Sequence, residues 1–231
     1  MSCRSATCTG PMLAAADHWT VTFRGPGGPG GAAPQRVMDI TYAQAHFVLG
    51  LQGIVGRNVA PLDTAVTSVG YIAGGTLESR NVIPSELVIG RTARSYSAEV
   101  RDLIERRIAE LADVTARAWG CEAHTEYERG PRALINQAEQ VRVSLAAAAA
   151  TVGAENVADQ LRPTTGGEDF AEMMQVRPGA FMRIGNGVGA DGSFHGLHTP
   201  KYDFNDAIIP DGIAYRVNLV HQELGPAWQD Q

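Results

Sequence analysis

His18-Trp-Thr-Val-Thr-Phe-Arg24 is the stretch from which the fold is read. Trp19, Val21 and Phe23 fall on one side of an extended chain, and Thr20, Thr22 and Arg24 on the other. That period of two is the mark of a strand with one buried face. The strand stops at Gly25-Pro-Gly-Gly-Pro-Gly-Gly31, which no regular element tolerates. The run has neither the Lys nor the Ser/Thr of a phosphate-binding loop, so it reads as a flexible turn. Beyond it the spacing predicts a helix over 36–56, with Ile40, Ala43, Phe47, Leu51 and Ile54 on one stripe. Gly50 and Gly53 weaken that helix and leave room for a neighbouring layer. Strands follow over 64–73 and 86–96. A second helix spans 98–120, with Val100, Leu103, Ile104, Ile108, Leu111 and Thr115 inward. Its wet face offers the i,i+4 pairs Asp102–Arg106 and Asp113–Arg117, and Gly120 ends it. A fourth strand covers 122–128, with His124 on its solvated side. The order strand, helix, strand, strand, helix, strand is the split β-α-β arrangement of ferredoxin-like domains, here expected over 18–130. Both helices then lie on one face of an antiparallel sheet, leaving the other face or an edge for a partner.

Composition sets outer limits. The chain has 231 residues, 44% hydrophobic and 19% charged, with formal net charge -6. A mildly acidic chain without a basic block disfavours nucleic acid and anionic membrane, and with them an RNA-binding use of the sheet. The alanine-rich run near Leu145–Val152 is too short and too weakly apolar to span a bilayer. Residues 1–10 lack the hydrophobic core of a signal peptide. Three cysteines without metal-type spacing point to a reducing cytoplasm. Cys3 and Cys8 read as tail thiols and Cys121 as a helix-to-strand junction.

Residues 131–231 read differently. A helix over 136–153 is followed by a short extended piece over 157–161. Gly166-Gly-Glu-Asp-Phe-Ala171 opens a short helix to Gln175, and Ala180–Ile184 reads as a buried strand. The phrase Ser193-Phe-His-Gly-Leu-His-Thr-Pro-Lys-Tyr-Asp-Phe-Asn-Asp206 sets titratable side chains between glycines and an apolar segment. A metal ligand with its supporting shell looks like that. So does a surface loop before a helix, with Asp206 as N-cap. A broken apolar pattern continues to Leu224. This region has few strands of its own and looks like part of a larger α/β layer.

The phrases around Gly166, Gly179-Ala-Phe-Met-Arg-Ile-Gly-Asn-Gly187 and His198, in that order, resemble the C-terminal end of the two-metal amidohydrolase and carboxypeptidase family. This is the family of hippurate hydrolases, N-acyl-amino-acid hydrolases and carboxypeptidase G. Gly10-Pro-Met-Leu-Ala-Ala-Ala-Asp17, Asn81-Val-Ile-Pro84 and Gly90-Arg-Thr-Ala-Arg-Ser95 extend the resemblance over about 10–224. It implies a ferredoxin-like lid and dimerisation domain over 18–130, preceded by a junction over 1–17. Residues 131–231 would be the C-terminal part of an α/β zinc-hydrolase catalytic domain. It implies amide hydrolysis of N-acyl amino acids, a divalent metal of the zinc type, and a homodimer. His198 would be a metal ligand. Arg94 would bind the substrate carboxylate with Asn81 as companion donor, and Gly167 would lie beside the substrate. The residue types fit, because a planar guanidinium pairs two-fold with a carboxylate.

The chain also departs from the family pattern. The His-x-Cys-Gly-His-Asp phrase and the Glu-Glu pair that carry most metal ligands and the general base do not occur in it. No catalytic residue is therefore assigned, since two-metal hydrolysis needs both. The family's Gly-Gly-His-Gly-Ala-x-Pro-His loop reads here with Pro29 and Gln35 at the histidine positions. Its first histidine reaches across the dimer to the oxyanion, and losing one such donor costs about a hundredfold or more in rate. The expectation is a truncated, inactive hydrolase chain or, alternatively, a non-catalytic dimerisation module.

Overall fold

The structure, a computed structural model, describes residues 5–188, 192–193 and 195–225. In chain order its first elements are β1 (Ser5–Ala6), β2 (Gly10–Leu13), β3 (Ala15–Arg24), β4 (Gly28–Pro29), α1 (Ile40–Asn58), β5 (Ala65–Gly74), β6 (Val82–Ile83) and β7 (Glu86–Ser95). There follow α2 (Ala98–Ala118), β8 (Glu122–Arg129), β9 (Leu134–Asn136), α3 (Ala138–Val152), β10 (Val157–Ala158), α4 (Phe170–Met173), β11 (Arg183–Ile184) and α5 (Ile209–Leu224). The chain divides into two compact units. One is Leu13–Ala133 with Thr165–Asp169; the other is Met1–Met12 with Leu134–Thr164 and Phe170–Gln231. No described helix is long and apolar enough to cross a membrane.

The first unit is built on an antiparallel sheet in the order β5-β7-β3-β8. The strands before and between the two helices are thus interleaved as a split β-α-β arrangement requires. Trp19, Val21 and Phe23 all point into the core, where they meet Phe47 and Leu51 of α1 and Ile104 and Ile108 of α2. Phe47 stands edge-on to both aromatics, with ring centroids 5.9 Å from Trp19 and 5.7 Å from Phe23. The five-residue stripe on α1 is buried as expected. Asp39 caps α1 through the Thr41 amide, and Ser97 caps α2 through Val100. Gly120, at φ 67°, closes α2, and the Cys121 amide reaches back to the Ala116 carbonyl.

Several expectations are corrected in this unit. The first strand begins at Ala15, not His18, because Asp17 occupies an inward position that the apolar alternation does not reveal. The first helix begins at Ile40, after a 3-10 turn at Pro34–Arg36. The glycine loop is not a free turn, since Gly28–Pro29 pairs with Val82–Ile83. A Cβ at Gly30 would fall 2.8 Å from Ile83 Cγ1. Gly50 does admit a neighbour, Leu111, 3.1 Å from where its Cβ would be, but nothing approaches Gly53. Asp113 pairs with Arg117 at 2.9 Å, whereas Asp102 turns to Arg129 and Arg106 to Glu110.

In the second unit β1 lies between β10, to which it is parallel, and β11, to which it is antiparallel. A separate pair joins β2 to β9. α3 packs on α5 through Ala147, Ala148 and Tyr215, with Val157, Met182 and Leu219 around them. The expected helix from Asn136 starts two residues later, because Asn136 belongs to β9 and is buried. Its amide donates to Thr7 Oγ1 at 3.0 Å and to the Cys8 carbonyl at 3.0 Å, and it accepts from the Phe181 amide at 2.7 Å. Ala180–Ile184 shortens to a two-residue strand, half-buried, and the extended piece over 157–161 to Val157–Ala158. Cys8 is buried rather than a tail thiol, its Sγ directed at the Pro11 carbonyl; Cys3 lies outside the described residues. Cys121 joins α2 to β8 as expected.

Candidate substrate-carboxylate site

Asp17 organises the end of the sheet where β3 begins and β7 ends. Its carboxylate, almost fully buried, accepts Arg101 Nε at 2.9 Å and Tyr127 Oη at 2.9 Å. The Gly130 amide donates to it at 3.2 Å, and Arg101 Nη2 donates onward to the Gly130 carbonyl at 2.7 Å. Each buried charge is therefore paired and hydrogen-bonded, the condition under which such a pair is tolerated. Burial, then the Asp17 charge and its hydrogen bond, push the Tyr127 phenol well above its ordinary range. Sequence periodicity does not single these residues out. The available signal is a carboxylate at the inward parity of β3 and an arginine flanking the apolar stripe of α2.

Arg94 sits on β7 directly opposite Ala16 of β3 and Val66 of β5. It is half-buried, and Nη1 donates to the Ala93 carbonyl at 3.1 Å. Burial lowers its pKa, and the negative charge of Asp17 opposes that shift. A guanidinium remains charged at neutral pH regardless. Gly167 comes to the same place: its Cβ, were there one, would stand 2.6 Å from the Ala16 Cβ. The Ala14 amide donates to the Gly166 carbonyl at 2.9 Å and fixes that approach. Arg94 and Gly167, far apart in sequence, thus flank Ala16. A cationic fork suited to a carboxylate therefore stands opposite the residue against which Gly167 packs.

Asn81 is elsewhere. It precedes β6, its carbonyl accepting the Gly30 amide at 3.1 Å, at the opposite end of β7 from Arg94. At about 3.3 Å per residue the strand separates the two by roughly 25 Å. Within one chain they do not share a site.

His198 lies on an exposed turn of the second unit, at φ 64°, the one positive φ outside glycine among the described residues. Left-handed backbone costs a side-chain-bearing residue about 1–2 kcal/mol, and such strain gathers at functional sites. The turn is held from both ends. Thr199 Oγ1 donates to the Gly196 carbonyl at 2.8 Å, and Asn186 is cross-linked to Asp203 and Asn205 at 2.8 Å each. Asn205, not Asp206, is the cap, and it caps a 3-10 turn at Asp206–Ile208 that leads into α5, its side chain accepting the Ala207 amide. His195 faces Ser193 Oγ at 3.0 Å, and Phe194 of this phrase lies outside the described residues. Among the described residues no three His, Cys, Asp or Glu side chains gather closely enough to hold a metal ion. The donor set around His198 therefore does not fit a two-metal centre, which needs several ligands to each ion.

Residues 11–222 match the profile described as peptidase family M20/M25/M40. The N-acetyl-L-cysteine deacetylase of Bacillus subtilis is 33% identical over 201 residues, 87% of this chain and 46% of that protein. The hippurate hydrolase of Campylobacter jejuni is 29% identical over 93% of this chain and 54% of that protein. A crystal structure from methicillin-resistant Staphylococcus aureus superposes with TM-score 0.80 at 24% identity, over 96% of this chain and 56% of that one. A dinuclear metal-binding peptidase of the M20 family from Bacillus subtilis gives TM-score 0.68 at 21% identity, over 93% and 51%. The chain thus spans about half the length of the relatives it matches.

Proposed function

This chain belongs to peptidase family M20/M25/M40, and on that premise we propose that it is the substrate-carboxylate half of an amidohydrolase acting on N-acyl amino acids of the hippurate kind. Taken alone, these 231 residues bind such a substrate without cleaving it. The observation that carries the reading is the convergence of Arg94 and Gly167 on Ala16. In this reading Arg94 grips the carboxylate, and Gly167, whose missing Cβ makes way for Ala16, lets its segment close on the strand beside Arg94. The family's divalent metal, of the zinc type, would draw on His198 together with ligands that the described residues do not supply.

The first unit acts here as a ferredoxin-like lid that pairs with a second copy in the cytoplasm. Its edge strand β5, with Tyr71 and Ile72 exposed, supports such pairing. Asn81, remote from Arg94 of its own chain, would then serve only a site on another copy. Pro29, which has no side-chain donor, favours the alternative of a pairing module without catalysis.

Calorimetric titration of the purified chain with hippurate tests the proposal. Binding should weaken 10- to 100-fold in Arg94→Met, the loss of a charge-assisted hydrogen-bonded pair, on the order of 1.5–3 kcal/mol. Equal binding by the variant would remove Arg94 from the site. Release of glycine by the chain alone would refute the non-cleaving part.

A further inference from the structure

Arg94 sits in a corner of the open sheet face, and the free side of that corner leads to an unpaired carboxylate. On β3 the outward positions are Ala16, His18, Thr20, Thr22 and Arg24, alternating with buried ones. Arg94 of β7 stands beside Ala16. Two residues further along β3, His18 stands between Thr92 of β7 and Glu128 of β8. The ways out of the corner are few. The Gly167 segment closes on the Ala16 side chain. β7 ends at Ser95, which is buried. On β5 the residue opposite Arg94 is Val66, which brings no polar side chain. The direction that remains runs over Thr92, whose hydroxyl donates to the Asp17 carbonyl at 2.8 Å, toward His18 and Glu128. Both of these are exposed.

Charge sets Glu128 apart from its neighbours. β8 presents Glu122, His124, Glu126 and Glu128 outward. His124 meets Glu126 at 3.5 Å, and Arg24 is taken by Glu86 at 2.8 Å. Arg129, next to Glu128 in sequence, reaches Asp102 and Glu105 of α2. Glu128 holds no ion pair among the described residues. An exposed glutamate is ordinary by itself, but register sets this one at a fixed distance from a carboxylate-binding cation. Arg94 and Glu128, two strands across and two residues along, are roughly 12 Å apart at Cα. An amino acid whose carboxylate lies on Arg94 carries the end of a four-carbon side chain roughly 6 Å from its own Cα, within reach of Glu128.

We propose that Glu128 selects the side chain of the substrate, so that the N-acyl amino acid held by Arg94 is one with a cationic side chain, of the lysine or ornithine kind. The inference rests on the functional reading above for the carboxylate end of that substrate. The ammonium group meets the Glu128 carboxylate, whereas a second carboxylate meets repulsion there. Specificity is the difference between the two. His18 lines the path from Arg94 to Glu128.

Calorimetric titration of the 231-residue chain at low salt compares Nα-benzoyl-lysine, Nα-benzoyl-norleucine, Nα-benzoyl-glutamate and hippurate. Norleucine keeps the carbon chain of lysine without its charge. The lysine derivative should bind about three- to fivefold more tightly than the norleucine derivative, the range of an exposed ion pair. The glutamate derivative should bind most weakly, and about 0.5 M salt should shrink both differences. Glu128→Gln should bring the lysine and norleucine derivatives level, and Glu128→Lys should put the glutamate derivative first. A merely structural role for Glu128 would leave those ratios where they were. Arg94→Met should weaken all of these ligands together. Equal binding of the lysine and norleucine derivatives, both still dependent on Arg94, would overturn this inference alone. So would a lysine preference that survives Glu128→Gln. Absence of binding by any of the ligands would overturn it together with the functional reading.

Discussion

Replacing Arg101 by Met tests whether the buried Asp17 network holds the first unit together. Methionine keeps the apolar stem and deletes the cation. Asp17, 1% exposed, would retain the Tyr127 hydroxyl and the Gly130 amide but lose the guanidinium that hydrogen-bonds its carboxylate. The Gly130 carbonyl would lose its donor as well. Breaking a buried pair from one side costs about 3–5 kcal/mol, mostly the desolvation of the charge left behind. At about 3 °C per kcal/mol for a chain of this size, that is a fall of about 10 °C in Tm. Urea unfolding followed by tryptophan fluorescence is the assay, since Trp19 is buried in this unit's core and Trp119 packs against it. The control is Arg24→Met. Arg24 meets Glu86 at 2.8 Å, a distance typical of a strong pair, but their side chains are 55% and 51% exposed. The solvent-screened pair should be worth under about 1 kcal/mol. If Arg101→Met costs no more than Arg24→Met, burial does not govern the strength of the Asp17 network and the reasoning fails.

Three further outcomes are expected. The Tyr127 phenol has its pKa raised by burial and by Asp17, so its contribution is complete below pH ~10, the ordinary tyrosine value, and falls as pH rises beyond it. Tyr127→Phe should cost about 1 kcal/mol at neutral pH yet give a shallower alkaline decline in unfolding free energy; parallel pH profiles would contradict this. Gly167→Ala must displace Ala16 or the Gly166 segment, because its Cβ would stand 2.6 Å away. It should cost about 1–3 kcal/mol and weaken hippurate binding, and unchanged binding by calorimetry would place Gly167 outside the site. His198→Gly relieves a left-handed backbone and should leave stability unchanged or raise it by up to about 1 kcal/mol; a lower Tm would show that the imidazole itself supports the turn.

Much of the fold was legible in the chain because burial leaves a period. Trp19, Val21 and Phe23 at spacing two, and Ile40, Ala43, Phe47, Leu51 and Ile54 at helical spacing, define the strand, the helix and the face each buries. Arg94, Gly167 and His198 were legible only as parts of longer phrases that resemble a family. Nothing in their local pattern distinguishes a carboxylate-binding arginine from a surface one. The charged network of Asp17, Arg101 and Tyr127 was not legible, because its members come from three elements and Asp17 and Arg101 are charged residues at inward positions.

What the sequence determined by itself is therefore periodic and local: which segments are strands and helices, where Gly120 stops one, and which side of each faces the core. Tertiary structure alone decided the rest. Pairing of β3 with β7 places Arg94 across from Ala16, and the close approach of Gly167 completes that corner. The length of β7 separates Arg94 from Asn81, which precedes β6 at the far end of that strand. Packing of α3 on one side of α5 leaves the other apolar side outward. The physical reason is that periodicity records only whether a side chain is inside, whereas its neighbours depend on strand register and helix docking, which are set by contacts between residues distant in the chain.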